Sequence, residues 1–211
     1  MSWLKENWKW TLVNSIAMML FTSFLWQAAS NGFSAASVRF LVGSTGNLAI
    51  IYLLLSLAMT PLHIILGWRG GLPLKKTTGL WAFAFGMMHM IYYAVEKGTL
   101  SAIFGDFYLI VGLIPLLIMA PLALTSTNWW MRTLGQWWKP LHRTVYIAGI
   151  TAGLHTALVG NPLLAGLMLI LLAVRIPLVR RWFSTQSKAL SKTTAPAPRI
   201  AHGLHPKSVA R

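Results

Sequence analysis

The sequence predicts an all-α membrane protein: a six-transmembrane-helix bundle with both termini on the cytoplasmic face. Three observations carry that expectation. Of the 211 residues, 56% are hydrophobic and only 10% are charged. Soluble domains carry roughly a quarter charged residues, so this chain cannot wrap one core in a polar surface. Six apolar runs of 17 to 20 residues follow one another, the length that crosses a hydrocarbon layer about 30 Å thick. The net charge of +15 is also distributed very unevenly along the chain.

The runs are Trp10–Ala28, Leu48–Gly67, Gly79–Val95, Phe107–Thr125, His142–Val159 and Leu163–Val179. Backbone polar groups in lipid must be satisfied within the segment, which makes each run a helix. No period-2 alternation suggests a barrel, and no repeat of fixed period is visible. The first run follows Lys5 and Lys9 and precedes Ala28–Ala29–Ser30. It is longer than the roughly 7–15 residues of a signal h-region, so it reads as a retained span. Asn31–Gly32, Gly43 to Gly46, Gly70–Gly71 with Pro73, and Asn161–Pro162 are turn signals. Pro61, Pro115 and Pro121 fall in or near apolar runs and are expected to kink helices. Residues 1–183 are expected to form one transmembrane domain. Residues 184–211 form a basic tail, with Pro196, Pro198 and Pro206, expected to be disordered.

Topology follows from loop charge. With six spans, one side holds Lys5, Lys9, Arg69, Lys75, Lys76, Arg132, Lys139, Arg143 and everything from Arg175 onward. The other holds only Arg39 and Lys97, together with Glu96 and Asp106. This is the positive-inside pattern of a multi-pass membrane protein with both termini cytoplasmic. It accounts for the basic balance without nucleic acid. Trp68, Trp129, Trp130, Trp137 and Trp138 gather at the same helix ends, as an aromatic belt does.

The chain has no cysteine. That excludes disulfides, iron–sulfur clusters, thiol catalysis and covalent c-type haem. His202 and His205 lie in the tail, leaving His63, His89, His142 and His155. An ionisable side chain inside a span is expensive and usually functional, the plain alternative being a neutral imidazole bonded between helices. The third and fifth helices run parallel, and His89 and His155 lie roughly 15 and 20 Å from their cytoplasmic ends. Two imidazoles at similar depth on neighbouring helices suit the axial ligands of an outer haem b. Such ligation leaves no open position and favours electron transfer. His142, at the cytoplasmic level, is a candidate ligand of an inner haem, with His63 as a candidate partner. Lys75 and Lys76 lie near that level and suit haem propionates or a quinone. On one ideal helix His142 and His155 would sit about 140° apart, so a kink, a π-bulge or haems on different sides is expected. Met87, Met88 and Met90 flank His89 and read as packing rather than ligation.

The stretch Leu124–Thr125–Ser126–Thr127, Met131–Arg132, Leu134–Gly135, Trp138, Leu141–His142 and Val145–Tyr146 resembles the haem-binding membrane subunit of bacterial periplasmic methionine sulfoxide reductase systems, within the ferric-reductase-like transmembrane superfamily. Gly79–Leu80–Trp81, Phe83, His89 and Thr60–Pro61–Leu62 add to the resemblance, which covers roughly residues 46–181. It implies a six-helix bundle carrying one or two b-type haems. It also implies electron delivery to a periplasmic molybdopterin-dependent reductase that repairs oxidised methionine. The electrons would come from quinol or a cytosolic flavin reductase, with FMN or a quinone as a further candidate cofactor. The matching histidines are His89, His142 and His155. Lys75–Lys76 stands where relatives often carry an Arg pair, and His63 is atypical. The residues after the last helix are too few for a flavin domain, so the chain is expected to relay electrons as a subunit rather than to catalyse the repair itself. A stand-alone ferric or quinone reductase of the same fold is the first alternative, and a small non-haem transporter or scaffold the second.

Overall fold

The computed structural model describes residues 2–31, 34–67, 69–71, 73–99, 101 and 104–174. The described residues are helical, with no strand among them. In chain order the helices are α1 (Ser2–Ser30), α2 (Ala35–Leu66), α3 (Leu74–Lys97), α4 (Phe107–Leu124), α5 (Asn128–Leu134), α6 (Trp138–Arg143), α7 (Val145–Leu158) and α8 (Pro162–Ala173). Among the described residues, three segments are long and apolar enough to cross a membrane: Asn7–Ser30, Ala35–His63 and Phe107–Leu124. The tail from residue 184 and the end of the sixth apolar run lie outside the described residues.

Helix ends follow local chemistry. The Ser34 side chain caps α2 by accepting from the Ser37 N–H. Thr127 does the same for α5 from Trp130, and Asn161 for α8 from Leu164, with Pro162 at the first helical position. Gly67 and Gly98 close α2 and α3 at φ of 66° and 71°, where a Cβ would be strained.

Two expectations are corrected. Gly43 to Gly46 do not form a turn; they lie inside α2, which starts at Ala35. Gly46 serves close packing there instead, as shown below. The fifth run is not one helix either. α6 ends at Arg143, and α7 begins at Val145 with 14 residues. His142 and His155 therefore sit on separate helices, which removes the difficulty of their angular separation.

α2 packs along most of α3, and α4 packs along α7. α8 closes on α7 and α2, while α1 lies against α3 and α2. An aromatic cluster joins α1, α2 and α3: Phe21 meets Trp81 and Phe85 at centroid distances of 5.9 and 6.0 Å, and Tyr52 meets Phe85 at 5.4 Å. Such tilted pairs add to plain area burial. The Trp81 indole donates to Asn14 Oδ1 at 3.0 Å, and the Tyr92 hydroxyl to the Phe24 carbonyl at 3.1 Å. Polar groups of the apolar helices are thereby paired inside the bundle. Outward faces stay apolar, with Met19, Trp26, Leu117 and Leu169 exposed. The two pairs, α2/α3 and α4/α7, touch each other only lightly. Cavities lie between them.

Candidate functional site

The outer cavity, about 500 Å³, is bounded by all four of these helices and contains His89 and His155. That volume lies in the range of small-molecule and cofactor sites. The two imidazoles face each other with ring centres 6.3 Å apart and planes at 67°. His89 Nδ1 lies 2.8 Å from the Val42 carbonyl, and His155 Nδ1 2.8 Å from the Tyr108 carbonyl. A carbonyl only accepts, so both Nδ1 atoms carry the proton, which in the neutral tautomer leaves the lone pair on Nε2. This is the arrangement in which a histidine binds metal through one nitrogen while the other is oriented by the protein.

Glycine makes that geometry reachable. A Cβ on Gly46 would sit 2.9 Å from His89 Nδ1, and one on Gly112 would sit 2.7 Å from His155 Nδ1. Each glycine lies one helical turn after the carbonyl that its histidine uses, where a side chain would cover that carbonyl. Both histidines lie 47 residues beyond their carbonyl partner. A shift of 66 residues carries Val42, Gly46, Leu53 and His89 onto Tyr108, Gly112, Met119 and His155. The α2/α3 and α4/α7 pairs thus present equivalent ligand cradles from opposite sides.

The residues fit an axially ligated iron. Metal–imidazole nitrogen bonds of about 2.0–2.1 Å, with about 1.1 Å from nitrogen to ring centre, set two such rings roughly 6.2–6.4 Å apart. Among the described residues no three His, Asp or Glu side chains gather into a metal cage. A macrocycle-held iron asks only for two axial nitrogens.

The inner cavity, about 490 Å³, brings together His142, Lys75 and Lys76 with Lys139, Arg143 and Trp138. His142 is held differently from the outer pair. The Thr125 hydroxyl donates to the Pro121 carbonyl at 2.6 Å and lies 3.0 Å from His142 Nε2. Its only proton is committed, so His142 Nε2–H donates to it and Nδ1 is bare. Trp138 stacks on the His142 ring at 4.1 Å while its indole donates to the Thr125 carbonyl at 3.0 Å. Burial lowers the His142 pKa, and the nearby Lys75 ammonium lowers it further against the Thr125 backbone contact. His63 lines neither cavity, and its Nδ1 is buried without a partner among the described residues. Leu53 and Met119 line both cavities and form the partition between them. Sequence reasoning missed Gly46, Gly112 and this partition. The signal for the glycines was their constant 43-residue distance to a histidine.

The profile of the family described as ferric reductase like transmembrane component matches residues 45–153. The chain belongs to this family. Several curated relatives carry the name protein-methionine-sulfoxide reductase heme-binding subunit MsrQ. The one from Bordetella pertussis is 35% identical over 144 residues, 65% of this chain and 70% of its own. That from Rhodospirillum rubrum is 39% identical over 150 residues, covering 64% and 72%. That from Deinococcus radiodurans is 38% identical over 137 residues, covering 62% and 68%. No solved structure matches. The matched segment contains Gly46, His89, Gly112 and His142, and stops two residues short of His155.

Proposed function

We propose that this chain is a haem-b electron-transfer subunit of the bacterial inner membrane. In this reading it passes electrons to a periplasmic molybdopterin-dependent methionine sulfoxide reductase. The observation that carries the reading is the pair His89 and His155, facing across a cavity with both Nδ1 atoms bonded to backbone and both Nε2 atoms bare. The names of the relatives support it. Bound there, haem would supply a one-electron couple with both axial positions filled. The chain's part is to fix the tautomer and orientation of each imidazole through Val42 and Tyr108, and to keep the surrounding wall apolar. Six spans with both termini cytoplasmic remain the topology favoured by loop charge.

Electrons enter, in this reading, at the inner cavity from quinol or a cytosolic flavin reductase. The 66-residue correspondence places Lys76 where the other half has His142. One imidazole faces lysines there rather than a second imidazole, and its Nε2 is already committed to Thr125. That supports a quinone or FMN in the inner cavity in preference to a second haem. Lys75 and Lys76 would meet an anionic group, and Trp138 and His142 would flank the ring. Leu53 and Met119 would then be the apolar layer the electron crosses.

The test is a dithionite-reduced-minus-oxidised spectrum of the purified protein with haem counted per chain. A b-type low-spin spectrum lost in both His89→Ala and His155→Ala is the expected result. Retention of the wild-type spectrum in both variants overturns the ligand assignment. Absence of haem after expression with ample haem supply overturns the function.

A further inference from the structure

The outer cavity is most polar at one end, with Asn47 and Thr156 adding polar side chains near the level of the histidines. Along α3, Tyr93 lies one turn beyond His89, about 6 Å further toward the end of the helix. Tyr108 opens α4 beside it, and Asn161 caps α8 at the same end. In the opposite direction the lining is Ile50, Leu53, Ala82, Leu116 and Met119, all apolar, reaching about 10 Å past the histidines. No Lys, Arg, Asp or Glu lines the cavity among the described residues.

The polar end is built from donors. The Tyr93 and Tyr108 side chains lie beside each other at this end of the cavity. The Tyr108 ring stacks on His155, with planes 18° apart and centres at 6.4 Å, so its hydroxyl is held in a fixed relation to the ligand. Asn161 spends its Oδ1 on the Leu164 N–H, which leaves its amide as donor. The Lys97 ammonium stands 5.6 Å from the Tyr93 ring centre at this end. Glu96 and Asp106 also act on Tyr93, so net charge at the rim does not favour an anion by itself. Hydroxyl and amide donors must hold it.

We infer that Tyr93, Tyr108 and Asn161 form the anchor for the two carboxylates of the haem, fixing its carboxylate edge toward the Tyr93 end of the cavity and its apolar edge toward the Leu53–Met119 partition. The inference rests on the haem reading above. It assigns the polar rim a positioning role distinct from the axial ligands. The two faces of the ring meet equivalent cradles, so the axial histidines alone leave the in-plane rotation of the macrocycle undetermined. The rim supplies that choice. A carboxylate at the other end would lose its hydrogen bonds against Ile50, Leu53 and Met119, an expensive burial.

The test uses the full chain loaded with haem b in detergent and reads resonance Raman bands of the haem propionates. Tyr93→Phe and Tyr108→Phe each remove one hydroxyl and keep the ring. Each is expected to shift a propionate band while the low-spin bis-histidine bands stay in place. Each should weaken haem affinity about tenfold to a hundredfold, the loss of one hydrogen bond to a charged group. Haem with both carboxylates esterified should bind the wild type more weakly and the Tyr93→Phe/Tyr108→Phe double variant no more weakly than haem b does. Unshifted propionate bands in both single variants and the double variant, with histidine ligation intact, overturn the inference and leave the haem reading standing. Equal affinity of wild type for haem b and its diester has the same meaning. Failure of the wild type to bind any haem overturns both.

Discussion

Substituting Gly112 by alanine puts the ligand cradle under direct test. The added Cβ would stand 2.7 Å from both Cε1 and Nδ1 of His155. Non-bonded carbon contacts are optimal at about 3.5–4.0 Å, so the imidazole must retreat by roughly 1 Å. Metal–nitrogen bonds tolerate about 0.2 Å, a fifth of that displacement. The same retreat breaks the 2.8 Å bond from Nδ1 to the Tyr108 carbonyl. Overpacking of this kind costs about 1–3 kcal/mol, and loss of an orienting partner lowers metal affinity about 10–100-fold. Gly166→Ala is the control, because a Cβ there meets nothing within 4 Å and the residue lines neither cavity. The control should be slightly stabilised, by about 0.5–1 kcal/mol, as alanine replaces glycine in a helix. The assay is haem per chain with the reduced-minus-oxidised spectrum, read beside thermal unfolding. Gly112→Ala retaining the occupancy and low-spin spectrum of the control would refute the reasoning. Weak haem binding in the control as well would refute it too.

Other outcomes follow from the same geometry. Gly46→Ala, with its Cβ 2.9 Å from His89 Nδ1, should act in the same direction by a somewhat smaller amount, seen in the same spectra. Met119→Ala removes one of the two residues dividing the cavities. It should cost about 2–5 kcal/mol, measured by thermal unfolding, and leave the outer low-spin spectrum in place. Thr125→Val removes the acceptor of His142 Nε2. It should spare the outer haem spectrum while slowing haem reduction by reduced FMN or a quinol several-fold in stopped-flow. An unchanged rate would count against an inner-cavity entry point. The lowered pKa of His142 means that the unfolded chain takes up this proton first as pH falls. The contribution of His142 to stability is then lost below the unfolded value of about 6.5. His142→Gln should therefore lose less unfolding temperature than wild type between pH 7.5 and pH 5.

The sequence by itself determined that this is an apolar helical chain with buried histidines. Hydrophobic run length and charge placement are properties of local composition, and they persist whatever the helices do next. His89 and His155 were legible as a pair because depth along a helix is counted at a fixed rise per residue. Their tautomers, the bare Nε2 atoms and the 6.3 Å between ring centres were not, because they depend on which carbonyl of another helix each ring meets. Gly43 to Gly46 read as a turn because glycine breaks isolated helices. In the bundle, α2 runs through them and Gly46 lets an imidazole approach its backbone. Depth placed His142 at the cytoplasmic level as a candidate ligand of an inner haem. Its contacts with Thr125 and Trp138, and its place beside the lysines of α3, appear only in the tertiary structure. Tertiary structure decided these points because they are contacts between residues about 40 or more positions apart or across a helix break, which neither periodicity nor composition encodes.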